Sequence, residues 1–165
     1  MRPGVRIGVF GDTHNNLRNV SRIVELFNAA RVDRVIHTGD ITQAKVLNEL
    51  AKLASPVQGV FGNNDLERAS LERGARAYAM TFVDPPFEFS WEAQRVVVVH
   101  DPRHLDSALR PEHTLALHGH THQHHESQRG NALVFNPGEC AGMMPGLNAV
   151  GIVDLSRLEC ELLRF

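Results

Sequence analysis

Val5-Arg6-Ile7-Gly8-Val9-Phe10-Gly11-Asp12-Thr13-His14 decides the fold. A short apolar run, 5–10, reads as a strand and ends at a glycine followed by a carboxylate. Leu17, Val20, Ile23, Val24, Phe27 and Ala30 then recur at helical spacing, with Asn16 placed as the N-cap. A second strand, 34–38, ends at Gly39-Asp40. Thr42 is placed to cap a helix carrying Val46, Leu47, Leu50 and Leu53 on one face, which must stop before Pro56. A third strand, 57–61, ends at Gly62-Asn63. The order β-α-β-α-β implies parallel pairing with right-handed crossovers.

Further along, a short helix is expected over 66–73, followed by strand-like runs at 78–83, 87–91, 96–99, 115–117, 132–135, 149–153 and 158–163. Val96-Val97-Val98-Val99 is apolar throughout, as a strand buried on both faces would be. A second, more antiparallel sheet is the economical inference. No internal repeat, low-complexity tract or linker interrupts the chain, and 165 residues fit a single domain spanning 1–165.

Composition narrows the function. No apolar run approaches the ~20 residues that span a bilayer. The start, Met1-Arg2-Pro3-Gly4-Val5-Arg6, lacks the apolar core of a secretion signal. Cys140 and Cys160 have no C-x-x-C spacing, so a cytoplasmic chain with free thiols is expected. The net charge of -2, from 17 basic and 19 acidic residues, shows no basic stripe and gives no strong nucleic-acid signal. Ten histidines are conspicuous, because imidazole is a frequent metal ligand and acid–base group.

The chemistry-bearing residues gather where strands end. Asp12 and His14 follow the first strand, Asp40 the second, Asn63 the third and His100 the valine strand, while His120 and His122 follow 115–117. The carboxyl ends of parallel strands form the ligand crevice of α/β sheets. Side chains at i and i+2 of extended chain point the same way, so each Asp-x-His or His-x-His pair can aim two donors at one locus. The oxygen and nitrogen donors, with no thiolate, suit manganese first, with iron, zinc or nickel as alternatives. The set is too large for one ion that keeps a reactive position open, and fits two ions ~3.5–4 Å apart sharing a carboxylate. Two divalent cations outweigh Asp12, Asp40 and a bridging hydroxide, and the remaining positive charge would attract an anionic ester such as a phosphate.

The plainer alternatives are structural. Asp12, Asp40 and Asn63 also fit helix caps and turns, and the glycines at 11, 39, 62 and 119 fit tight strand-to-loop turns. His37 and His118 read as packed strand histidines, and His104, His113, His124 and His125 as loop residues. His124 or His125 could assist an acid–base step. Asp65 reads as an N-cap for the following helix that could also orient Asn64. Asn15, Asn16 and Arg18 lie where they could reach a phosphate.

Asp12-Thr13-His14, Gly39-Asp40, Gly62-Asn63-Asn64-Asp65, His100, Gly119-His120-Thr121-His122 and Asn136-Pro137-Gly138 occur in an order that resembles the calcineurin-like metallophosphoesterases, especially their small, nearly capless bacterial and archaeal phosphodiesterases. The resemblance implies an α/β fold: a four-layer α/β/β/α sandwich of two mixed sheets flanked by helices. It implies one metal on Asp12, His14, Asp40 and His122 and another on Asp40, Asn63, His100 and His120, with Asp40 bridging. A metal-bridging hydroxide would attack a small phosphate ester in line. Asn64 and Asp65 are the candidate catalytic residues beside the ligands.

The chain departs from the family at three places. Many relatives carry a proton-donating His where this chain has Asn64, which can donate a hydrogen bond but no proton near neutral pH. Asp101 stands where Gly is usual, beside the loop 102–113, and Glu139 stands where Ser is common. The competing expectation is a noncatalytic scaffold or binding protein on the same fold. A nuclease would share the site but needs a basic channel. Association into homo-oligomers stays open.

Overall fold

In the computed structural model, which describes residues 4–165, strand β1 (Arg6–Phe10) sorts its side chains by alternation. Ile7 and Val9 face a second sheet, whereas Phe10 packs against helix α1 (Leu17–Ala30), its ring centroid 5.8 Å from that of Phe27. Gly8 makes that packing feasible, since a Cβ there would stand 2.8 Å from the Phe27 ring. Asn16 caps α1 as expected, its Oδ1 accepting from the Asn19 N–H at 3.1 Å. Met1, Arg2 and Pro3, which enter the leader reading, lie outside the described residues.

Helix α2 (Ala44–Leu50) buries Val46, Leu47 and Leu50, but its cap position is Gln43 rather than Thr42. Thr42 cannot cap, because its backbone is turned to φ +71° and its N–H is given to Asp65. Helix α3 (Arg68–Ala77) begins at Arg68, not Leu66, which is exposed, and its cap position is Glu67, not Asp65.

The first sheet contains β1, β2 (Arg34–His37), β3 (Val57–Val60), β4 (Thr81–Val83), β10 (Ala149–Asp154) and β11 (Glu159–Arg164), in the order β11-β10-β1-β2-β3-β4. Pairing from β1 through β4 is parallel, and β10 and β11 add antiparallel on the other side. The second sheet contains β5 (Phe87–Trp91), β6 (Gln94–Val98), β7 (Leu115–Leu117), β8 (His125–Arg129) and β9 (Ala132–Asn136), ordered β5-β6-β7-β9-β8. Its three central strands are parallel and its edges antiparallel. The expectation of a separate, more antiparallel sheet from the second half is thus corrected. β4, β10 and β11 join the first sheet, and β8 arises where a loop was expected.

Three apolar layers hold these elements together. Phe10, Ile23, Phe27, Leu47 and Leu50 fill the space between the first sheet and α1 and α2. Ile7, Val9, Ile36, Val60, Val96, Val98, Leu117 and Phe135 fill the space between the sheets. Val97, Val99, Ala116 and Val134 pack on Leu105 and Ala108 of the single-turn helix α4 (Leu105–Ala108). The valine run is therefore buried on both faces, and the architecture is the expected four-layer sandwich of two mixed sheets. Each fully buried Ile, Leu or Phe contributes roughly 1.5–3 kcal/mol. Among the described residues, no helix is long and apolar enough to cross a membrane, and Cys140 and Cys160 are free thiols.

Candidate metal centre

The loops leaving β1, β2, β3, β6 and β7 meet. The Asp12 N–H donates to the Gly39 carbonyl at 2.9 Å and the Gly119 N–H to the His100 carbonyl at 3.0 Å. These loops turn sharply, and the polar residues themselves take the left-handed conformation: φ is +54° at Asp12, +41° at His14, +61° at Asp40, +71° at His120 and +56° at His122. Such backbone costs of order 1–3 kcal/mol per residue and persists where the surroundings impose it.

Imposed this way, Asp12, His14, Asp40, Asn63, His100, His120 and His122 come together. His14 Nε2 lies 3.3 Å from Asp40 Oδ2, and His100 Nε2 lies 3.5 Å from Asp40 Oδ1. His122 Nε2 is 3.8 Å and His100 Nε2 4.0 Å from Asp12 Oδ1. Asn63 Oδ1 stands 2.9 Å from His100 Nε2 and 3.1 Å from His120 Nδ1. One donor atom each from Asp12, His14 and His122 falls within 4.8 Å, as does one each from Asp12, Asp40 and His100. Both groups could hold a cation.

Some of these donor atoms lack a partner in the protein. His100 Nδ1 lies 2.8 Å from the Thr38 carbonyl, which can only accept, so Nδ1 carries the proton and Nε2 offers its lone pair inward. Asp12 Oδ2 accepts from the His120 N–H at 2.9 Å, while its Oδ1 is buried without a partner, as is His14 Nε2. Buried polar atoms left unpaired are costly. Two of them in one cluster of carboxylates and imidazoles are what a cation would satisfy, so the residues fit divalent metal.

Charge is distributed unevenly here. Burial presses the Asp40 carboxyl upward, but the neighbouring His100 and His14 imidazoles and two hydrogen bonds from Asn64 outweigh it and hold Asp40 far below the usual carboxylate range. Asp12, in contrast, is raised by burial, which outweighs the nearby His100 charge. The Asp40 carboxylate beside it raises His14. Burial pulls His100 down, but Asp40 reverses that and leaves it raised.

Asp65 does not cap the helix. Its Oδ2 accepts from the Asp40 N–H at 3.0 Å and the Gly62 N–H at 2.7 Å, and its Oδ1 from the Thr42 N–H at 2.7 Å, which fixes the backbone around Asp40. Asn64 is held by Asp40 rather than by Asp65, its N–H and Nδ2 both donating at 2.9 Å. The glycines act mainly by close approach. Gly39 has φ +107°, but a Cβ on Gly119 would stand 2.6 Å from Asp12 Oδ2, and one on Gly62 would collide with Asp40.

The other candidates lie elsewhere. His37 is buried in β2, with Nδ1 accepting from the Gly39 N–H and Nε2 3.3 Å from the Thr13 hydroxyl. Burial lowers it to about 3, and lowers His118, which lies just beyond β7 rather than in it, to about 4. His113 lies in the loop between α4 and β7 as expected, but it is buried there and accepts from the Arg110 N–H. His125 belongs to β8 and reaches Ser127. His124 stacks edge-on near Phe135, and Asn16 bonds the Ala141 carbonyl. A cavity of about 390 Å³ opens beside Asn63, His100 and His120, with Phe61, Arg68, Pro85, Arg103 and His104 among its walls.

The sequence model of the calcineurin-like phosphoesterase superfamily domain matches residues 5–157. The chain belongs to the calcineurin-like phosphoesterase superfamily. Phosphodiesterase MJ0936 of Methanocaldococcus jannaschii is 30% identical over 159 residues, which is 94% of this chain and 96% of that protein. The solved structure of an archaeal phosphodiesterase covers 98% of this chain and 100% of its own, at 28% identity and a TM-score of 0.90. Vps29 of Entamoeba histolytica, 18% identical with a TM-score of 0.69 over 98% of this chain and 99% of its own, shares the fold. By family, the chain is a metal-dependent hydrolase of phosphoric esters.

Within this metallophosphoesterase, the contacts of Thr38 and Glu139 escaped the sequence. Thr38 acts through its carbonyl, which every residue possesses, so no side-chain signal exists. Glu139 stood out as a departure, yet nothing in the linear order showed that it meets His122. Asp101 caps the turn Pro102–His104 by accepting from the Arg103 N–H at 2.9 Å, and its pairing with the Arg103 guanidinium holds its carboxyl well below the usual range.

Proposed function

We propose that the chain is a dinuclear-metal-dependent phosphodiesterase, folded as one domain, that hydrolyses a small phosphate ester by in-line attack of water at phosphorus. The observation that carries this reading is the position of Asp40. Its two carboxylate oxygens face different partners, Oδ2 toward His14 and Oδ1 toward His100, as a ligand shared by two cations would. One cation would be held by Asp12, His14, Asp40 and His122, and the other by Asp40, Asn63, His100 and His120. Manganese suits these oxygen and nitrogen donors, with iron, zinc or nickel as alternatives. When bound, the cations supply positive charge against the phosphate oxygens and make water more acidic.

The chain's own residues supply the rest. Asp65 fixes the Asp40 loop, and Asn64 offers an amide donor beside it for a phosphate oxygen. Asn64 cannot protonate a leaving group, so esters with good leaving groups are favoured. The cavity beside Asn63 and His120 receives the ester's organic group. The free cysteines support a cytoplasmic setting.

Metal analysis combined with hydrolysis of bis(p-nitrophenyl) phosphate, with and without Mn²⁺, tests this. Two metal equivalents and metal-dependent turnover are expected. Stoichiometric metal without turnover of any ester would instead favour a noncatalytic scaffold on the same fold.

A further inference from the structure

Glu139 follows the Asn136-Pro137-Gly138 turn and is 1% exposed. Its Oε1 lies 3.0 Å from His122 Nδ1 and accepts from the Ala141 N–H at 2.6 Å, while its Oε2 is buried without a partner. The mount is rigid. The Ala149 N–H donates to the Glu139 carbonyl at 2.8 Å, and the Asn136 side chain ties the turn to Thr121 at 3.1 Å, between His120 and His122. Among the described residues, no Lys or Arg pairs with this carboxylate, and its ion-pair contact is His122. A buried carboxylate without a countercharge is expensive. A cation held by His122 is the charge that would compensate it.

A carboxylate oxygen accepts, so His122 Nδ1 carries the proton and Nε2 turns its lone pair toward the side where Asp12 Oδ1 lies. His120 differs. Its Nε2 stands 3.7 Å from Asp101 Oδ2, beyond hydrogen-bond range, and Arg103 already matches that carboxylate at 2.5 Å. The two histidines of Gly119-His120-Thr121-His122 are therefore supported unequally.

Resting on the metal centre proposed above, we propose that Glu139 is the positioning residue of that centre: it fixes the tautomer and ring of His122 and, by its charge, strengthens His122 Nε2 as a donor to the cation shared with Asp12 and His14. Carboxylates placed behind metal-binding histidines act in this way.

The test titrates Mn²⁺ into the metal-stripped full chain by calorimetry, comparing wild type with Glu139→Gln and Glu139→Asp. The amide of Glu139→Gln keeps the shape and an acceptor but loses the charge. One of the two sites should weaken on the order of 10–100-fold, with the other changed by no more than a few-fold. Glu139→Asp keeps the charge and should fall between wild type and Glu139→Gln. Metal-free Glu139→Gln should unfold at the wild-type denaturant midpoint or above it, because a buried unmatched charge is gone. Equal weakening of both sites with a lower metal-free midpoint would reduce Glu139 to a packing role and overturn the proposal. So would unchanged Mn²⁺ affinity in Glu139→Gln while wild type binds two ions. Wild type that binds no Mn²⁺ would overturn the metal centre itself, and Glu139's role with it.

Discussion

Asn64 meets Asp40 twice, its backbone N–H donating to Oδ1 and its side-chain Nδ2 to Oδ2, each at 2.9 Å. Both oxygens of the carboxylate assigned to bridge the metals are thus clamped by one residue, and that residue cannot act as a proton donor. The backbone half of the clamp needs only an N–H, which every residue but proline has, so position 64 can be changed without releasing the loop. Asn64→His should raise turnover of alkyl phosphodiesters on the order of 10²-fold relative to p-nitrophenyl esters, which need no leaving-group proton. An unchanged ratio of the two rates would mean that the missing acid does not limit the reaction.

Asp40→Asn removes the shared negative charge and should weaken both metal sites by at least about 100-fold, since each cation loses part of an anionic ligand. His118→Gln, which alters a buried histidine beside the centre, should change Mn²⁺ affinity by no more than a few-fold. Calorimetric titration of the two variants checks this, and comparable losses would show the centre to be drawn wrongly.

Gly62→Ala places a Cβ 2.5 Å from the Asp40 backbone nitrogen, so Asp40 must move. The variant should lose metal and about 1–3 kcal/mol of stability, as overpacked sites do. Gly130→Ala, in the β8–β9 turn where nothing lies within 4 Å, is strained at φ +59° but should bind metal normally. Metal content and denaturant midpoints separate the two outcomes, and wild-type metal content in Gly62→Ala would contradict the close approach.

His37 ties stability to pH. Its unfolded value is 6.5, and burial beside Phe10 lowers it to about 3 in the fold. Below pH 6.5 the unfolded chain takes up a proton that the folded chain refuses, so stability falls as pH drops toward 3. At pH 5 the loss should be roughly 2 kcal/mol, at ~1.4 kcal/mol per pH unit. His37→Asn, whose Oδ1 can still accept from Gly39, should lose that part of the slope. Denaturation of metal-free protein at pH 7.5 and pH 5 measures it, and equal slopes for variant and wild type would refute the assignment.

The alternating first half was legible because its helices are amphipathic and its strands apolar. The candidate donors could be brought together on paper for a related reason: each stands just past the end of a strand that periodicity locates. Strand β8, His-Glu-Ser-Gln-Arg, was not legible, because it pairs β9 alone at a sheet edge and buries no apolar face. Nor could local pattern show β10 returning to pair with β1, since that contact joins the two ends of the chain. The left-handed backbone at Asp12, Asp40, His120 and His122 was also hidden, being imposed by neighbouring loops against residue preference. Asp65 illustrates the same limit, as its acceptors serve backbone N–H groups at Asp40 and Thr42 that no side-chain motif marks.

The most direct measurement is a crystal structure of the Mn²⁺-loaded protein with anomalous scattering at the manganese edge. Two anomalous peaks ~3.5–4 Å apart, with Asp40 oxygens on both, are predicted. A single peak, a pair bridged by Asp12 instead, or peaks away from these side chains would contradict the account.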